Sequence, residues 1–567
     1  MVRRSVLSRR SLVRSAAMGA AAACLPRVTT TFAQTPEATP VETVNATPRP
    51  SRGGSLKLVR PGSSVANFNP AAFAQDQQIP RSYLEPLIRP DPQTLEPRPW
   101  LAERWAWRQD GLELVLTIRE GTIWHDGQPF DAADARFSYT VYRDDVDSLV
   151  AGLFGLVESI EVASDRELVV SFTERDANWL FNAATLPIFS RRQYDTFWES
   201  GADATRTLSR FDWSNSTPVG TGPWQIEAWD EQQVEFRRFD RYWGDPPRLD
   251  SLHVAVEEGG RRRIEAWMSG DSALAWPVTE RAARAIDEAE GRLVAAPAAS
   301  VMFAAFNFAN PNQPNGSLWG DVRVRQAAAL AIDRKRYADE VFGGHIRHDA
   351  AGTIAQPWAY DDAVVSPALN LERAEILLAE AGWADYDGDG ILEDATGVPL
   401  RPVVIVSEES RPELLAVLAR VGRDLATVGI GLEIEVLPIA AFDDRWIVQR
   451  NFDLIAYAYD LLPGFADFDL YGSAWDIRTN PAGWNPGGYS NAAVDEAIAD
   501  FLGAVSIERQ RDALQRLQQA VNDDLFGLWF GFPDDLILVA DGIAGFEPDM
   551  AWQTARTWTL WLADDKP

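Results

Sequence analysis

Pro99–Ser138 reads PWLAERWAWRQDGLELVLTIREGTIWHDGQPFDAADARFS, and its order of turns and alternating residues decides the fold class. An aromatic segment runs into Gln109-Asp110-Gly111, a turn in which glycine supplies the left-handed backbone. Leu112, Leu114, Leu116 and Ile118 then fall at period two, which predicts a strand with one buried face. Trp124-His125-Asp126-Gly127 forms a second turn, and a helix is expected to begin near Asp131.

Further along, Pro402–Ser407 is a β-branched strand and Ser410-Arg411-Pro412-Glu413 reads as a capping box. The helix it opens ends near Gly429, and Leu432–Leu437 is again a strand. Strand, helix, strand is a βαβ unit with parallel pairing, so the body is α/β in class. Asp321 is expected to cap a helix reaching Phe342, stopped by Gly343-Gly344, and Asn370 a helix ending at Gly382.

At 567 residues the chain is too long for one ordinary core. Hydrophobic residues make up 46% and charged residues 24%, a globular composition. The formal charge of −30 repels phosphate backbones and no basic stripe offsets it, so nucleic acid is excluded as a partner. The single cysteine, Cys24, leaves the body without disulfides, a thiolate nucleophile or a cysteine metal site.

The first 34 residues carry six Arg and no acid. Ser8-Arg9-Arg10-Ser11-Leu12-Val13 has the form of a twin-arginine export signal, the alternative being an ordinary basic secretory leader. Cleavage after Ala33, or lipidation of Cys24 within a degenerate lipobox, both fit. Either way the product is exported, to the periplasm or the cell surface. Residues 35–54, rich in Pro and Thr, read as a flexible spacer. No other run of about 20 apolar residues occurs.

Several blocks together resemble the bacterial extracellular solute-binding proteins of the peptide/nickel class, family 5. They are the Pro99–Ser138 stretch; Gly220-Thr221-Gly222-Pro223-Trp224 with Arg241-Tyr242-Trp243-Gly244; Trp267–Ser272; Asp321–Ala327 with Ala331–Arg334; Arg373–Trp383; and the tail from Gly488 to Trp561. The resemblance implies a two-lobed clamshell with a domain inserted in the first lobe. The expected division is 55–95 and 216–298 for the first lobe, 96–215 for the insert, 299–528 for the second lobe and 529–567 for a return. It also implies a monomeric, non-enzymatic receptor that closes on a peptide and docks on an ABC permease. An oligosaccharide receptor, an exported glycoside hydrolase and a chemosensory receptor of the same fold are the alternatives.

By that resemblance Tyr457 and Asp460 fall where peptide binders carry a W-x-x-D motif whose carboxylate meets the ligand ammonium. Leu454 stands where oligopeptide binders often place an Arg. Alternatively, Asp460 only begins the Leu461-Leu462-Pro463-Gly464 turn. The chain has 22 Trp; Trp475 and Trp484, flanking a polar loop, are the two expected to face a ligand. Asp385, Asp387, Asp389, the Ile391 carbonyl and Glu393 have the spacing of a calcium loop. Thr396 stands at position 12 in place of the bidentate Glu, so the choice is between a structural calcium ion and a solvated acidic turn. No other cofactor is expected. His125 reads as scaffold.

Overall fold

The computed structural model describes residues 52–62, 79–202, 205–212, 216–283, 291–297, 300–313, 318–352, 354, 356–460, 468–480, 483–549 and 556–563. The leader, Cys24 and nearly all of the 35–54 spacer lie outside them. Among the described residues no helix is long and apolar enough to cross a membrane.

The chain opens with β1 (Ser55–Arg60), whose alternating residues bury Leu56 and Leu58. An antiparallel sheet then interrupts the first layer: β2 (Ala102–Arg108), β3 (Glu113–Ile118), helix α1 (Ala132–Asp144), β4 (Val157–Ser164) and β5 (Glu167–Phe172), in the order β2-β3-β5-β4. Leu114, Leu116 and Ile118 are buried as their spacing predicts, each contributing about 1.5–3 kcal/mol. Leu112 is the exception at 37% exposed, because the Gln109–Gly111 turn delays the strand to Glu113. Asp131 caps α1 in a reciprocal capping box with Asp134.

The chain returns to the first layer through β6 (Trp224–Trp229), β7 (Gln233–Arg238) and β8 (Ser251–Val256), and β8 pairs in parallel with β1. The opening block is fastened here. His125 Nδ1 accepts the Gly220 N–H at 3.2 Å and Nε2 donates to the Gly222 carbonyl at 2.9 Å, which fixes the neutral Nε2–H tautomer. Burial pushes its pKa down to about 4. A Cβ on Gly220 would lie 1.7 Å from the Tyr83 carbonyl oxygen, so the close approach requires glycine. Glu85, buried beside them, accepts hydrogen bonds from Trp100, Thr221, Tyr242 and Trp243 at 2.7–3.0 Å. The tail closes on this layer through a buried Arg89–Asp549 ion pair at 2.7 Å.

The main sheet is built from β9 (Leu274–Val278), β10 (Gly291–Pro297), β11 (Ser300–Phe306), β12 (Val403–Ser407), β13 (Glu433–Leu437), β14 (Leu454–Asp460) and β15 (Gly527–Ala540). Its order is β9-β15-β11-β14-β12-β13, with β10 also on β15. β12 pairs in parallel with both β13 and β14, as the βαβ reading requires. β15 changes partners along its length, from β11 at Gly527–Gly531 to β10 at Asp534–Ala540. Its two halves thus join different parts of the molecule.

Two helix expectations are corrected. The helix from Asp321 does not reach Phe342: it is α2 (Val322–Ala331) followed by α3 (Arg334–Phe342). Asp333 breaks it by capping the Arg336 N–H, while buried Arg334 turns to the carbonyls of Ala329, Pro367 and Trp529. Asn370 does cap α4 (Leu371–Glu380). No capping box opens α5 (Pro412–Ala426): Pro412 takes the first helical position, which makes Arg411 the cap residue without a side-chain cap bond. Helices α6 (Ala492–Gly503) and α7 (Ile507–Asp523) pack together before β15.

Candidate functional site

β14 alternates between two cores. Leu454 and Ala456 pack with the layer that contains α2, α3 and α5, while Ile455 and Tyr457 face the other way. On that second face Phe303 of β11 registers directly with Tyr457 on one side and Trp529 of β15 on the other. Their rings are 5.7 and 5.3 Å from that of Phe303. Phe442 and Trp446 cover the row, with Trp446 5.8 Å from Tyr457 and 5.1 Å from Trp484.

Local chemistry holds this arrangement. Buried Asp453 accepts hydrogen bonds from Asn310, Gln313 and the Val403 N–H, tying β14 to β12 before the aromatic row begins. Asn307 donates to the carbonyls of Arg450 and Phe452 at 3.0 and 2.8 Å. Arg450 leaves the preceding helical turn at φ 53, and Arg445 is held by the Asn451 carbonyl and Glu435.

The polar atoms of this row lack partners. The Tyr457 hydroxyl and the indole N–H groups of Trp446 and Trp529 are buried with no hydrogen-bond partner among the described residues, as is the hydroxyl of Ser300, which begins β11 and alternates onto the Met302 face. Burial also holds the Tyr457 phenol well above its ordinary range. Native interiors seldom leave such groups unpaired. The row lies toward the carboxyl ends of the parallel strands β12 and β14, where α/β sheets bind ligands.

Sequence reasoning named Tyr457 and Trp484, and the structure brings them together through Trp446. Trp475 is half-buried and packs on Gly472, where a Cβ would lie 2.5 Å from its ring. The main chain of Asp460 ends β14 opposite Ser300; its side chain and residues 461–467 lie outside the described structure. Ser300, Trp446 and Trp529 were not anticipated. Their signal is register between strands about 150 and 230 residues apart, which no local pattern carries.

In the acidic loop, carboxylate oxygens of Asp385, Asp387, Asp389 and Glu393 lie within 4.8 Å of one another. Glu393 is buried and accepts the Tyr386 N–H at 2.8 Å, whereas the three aspartates are exposed. Asp389 also meets Arg401 at 3.2 Å. A hard divalent cation suits this all-oxygen donor set.

A family model for the middle part of the bacterial extracellular solute-binding proteins, family 5, matches residues 96–476. The chain belongs to that family. A putative ABC transporter peptide-binding protein of Brucella ovis is 25% identical over 379 residues, covering 66% of this chain and 67% of that one. The oligopeptide-binding protein AppA of Bacillus subtilis is 22% identical over 526 residues, covering 91% and 93%. Among solved structures, NikA of Brucella suis in complex with Fe(III)-EDTA superposes with a TM-score of 0.73 at 19% identity, over 90% of this chain and all of that one. The fold is therefore the two-lobed clamshell of periplasmic binding proteins, and the solute-binding family is an extracellular one.

Proposed function

We propose that this chain is the extracytoplasmic receptor of an ABC importer, which binds peptides between its lobes, without catalysis, and delivers them to the permease. The observation that carries the reading is the row of buried, unpartnered donors at Trp446, Tyr457 and Trp529. A peptide backbone offers a matching series of carbonyl acceptors. The names of the Brucella and Bacillus relatives support the same ligand class. The proposed division of the second lobe from the return, after residue 528, lies close to the point where β15 changes partners, between Gly531 and Asp534. Asp460 receives the ligand ammonium, and Tyr457, Trp475 and Trp484 line its side chains.

The aromatic walls favour a second reading, an oligosaccharide receptor, since sugar faces stack on indoles. A thermal-shift panel separates the two: pools of di- to nonapeptides against cello- and manno-oligosaccharides, with nickel chelates alongside. A ligand that binds only the folded state raises the melting temperature by mass action. Peptides stabilising the protein support the first reading, and stabilisation by sugars alone replaces it.

The acidic loop of Asp385, Asp387, Asp389, the Ile391 carbonyl and Glu393 is proposed to hold a structural calcium ion. The receptor works as a monomer, exported through its Arg9-Arg10 leader. Lipidation of Cys24 and cleavage after Ala33 are the two proposed fates of that leader, and mass spectrometry of the mature N-terminus distinguishes them.

A further inference from the structure

One carboxylate stands apart in this region. Asp535 lies on β15 just after that strand leaves β11 for β10, opposite Ala296. Its side chain is only 1% exposed. One oxygen meets Arg411 Nη2 at 3.3 Å, and the other, Oδ2, is buried with no hydrogen-bond partner among the described residues. Burial pushes the Asp535 carboxyl above its ordinary range, and an ionised oxygen there without a donor is costly.

The position gives that oxygen meaning. Arg411 follows β12, and in the order β15-β11-β14-β12 the ion pair reaches across the ends of the two strands between, β11 beginning at Ser300 and β14 ending at Asp460. Ser300, at the start of β11, carries a second fully buried, unpartnered polar atom among the described residues. Tyr457, Trp446 and Trp529 are hydrogen-bond donors toward a ligand; Asp535 Oδ2 can only accept while it is ionised.

We infer that Asp535 is a ligand-binding residue whose free oxygen takes a hydrogen bond from the ligand's ammonium group, with Arg411 holding the other oxygen. An ammonium has three donors, so it can meet Asp535 and a further acceptor at once. Once the lobes exclude water, such a charge-assisted bond is stronger than a neutral one. The inference rests on the peptide reading, and it predicts selection for a free amino end.

The test measures dissociation constants of the wild type, Asp535→Asn and Asp535→Glu for randomised di-, tri- and pentapeptide pools. Each pool is prepared with a free and with an N-acetylated amino end. The wild type is expected to favour the free pools by about thirtyfold or more, the low end for truncating one partner of a buried charge pair. Asp535→Asn narrows that ratio about tenfold. Because the readout is a ratio, general destabilisation cancels. If Asp535→Asn does not fold, Asp535→Glu, whose carboxylate is displaced by one methylene, must itself change the ratio. An unchanged ratio in the variant that folds overturns the inference and leaves a water or a proton on Oδ2. A wild type that binds neither form of any pool overturns the peptide reading itself.

Discussion

Acidification should loosen the molecule first where His125 fastens the opening block. The imidazole accepts the Gly220 N–H at Nδ1 and donates from Nε2 to the Gly222 carbonyl. Protonation would set a second N–H against the Gly220 donor. Burial lowers the folded pKa from 6.5 to about 4. At pH 7 the ring is neutral in both states, so nothing is lost. As the pH falls below 6.5 the unfolded chain takes up a proton that the folded chain refuses, and stability falls by about 1.4 kcal/mol per pH unit. The loss levels off near pH 4 at about 3 kcal/mol. His125→Asn, which does not titrate, removes this slope whatever its own cost. Hydrogen-exchange protection of segments 122–138 and 219–224, measured from pH 7 to pH 4.5 with intrinsic exchange rates corrected, isolates this region from the rest of a multidomain chain. The wild type should lose about 2–3 kcal/mol of local protection that His125→Asn does not lose. Parallel pH profiles for the two proteins refute the reasoning.

Three other perturbations are expected to separate packing from binding. Gly220→Ala forces a Cβ to within 1.7 Å of a backbone oxygen, and should cost about 3 kcal/mol or more in chemical denaturation. Gly152→Ala, with open space around it, should be within about 0.5 kcal/mol of the wild type, and equal effects contradict the account. Tyr457→Phe removes a hydroxyl that has no partner among the described residues, so the melting temperature without ligand should hardly change, while peptide affinity falls about five- to tenfold, one hydrogen bond's worth. A lower melting temperature with unaltered affinity would place the hydroxyl in the scaffold. Calcium should raise the melting temperature over an EGTA control, and Asp387→Asn should abolish the rise; identical melting with and without calcium removes the ion.

What could be read in the sequence is what depends on neighbours along the chain. The alternation of Leu114, Leu116 and Ile118 needed only a turn before it and a buried face beneath it. The βαβ unit from Val403 to Leu437 likewise follows from local periods of two and 3.6. Leu112 and the capping box at Ser410 failed because turn geometry and Pro412 shifted each element's first residue. The helix break at Asp333 was hidden because Arg334 is pulled aside by carbonyls as distant as Trp529. The site divides the same way. Tyr457 and Trp484 could be named individually, but a row through Phe303 to Trp529, and an ion pair from Arg411 to Asp535, exist only once distant strands are in register. Burial without a partner is a property of the assembled sheet and has no signature in residue type.

The row at Trp446, Tyr457 and Trp529 is proposed to receive a peptide. Native mass spectrometry of the protein equilibrated with an equimolar mixture of randomised peptides and cello- and manno-oligosaccharides tests it directly. Adducts with peptide masses, weakened in Tyr457→Phe, are the predicted result. Adducts with oligosaccharide masses alone, or peptide adducts that Tyr457→Phe leaves unchanged, would contradict it.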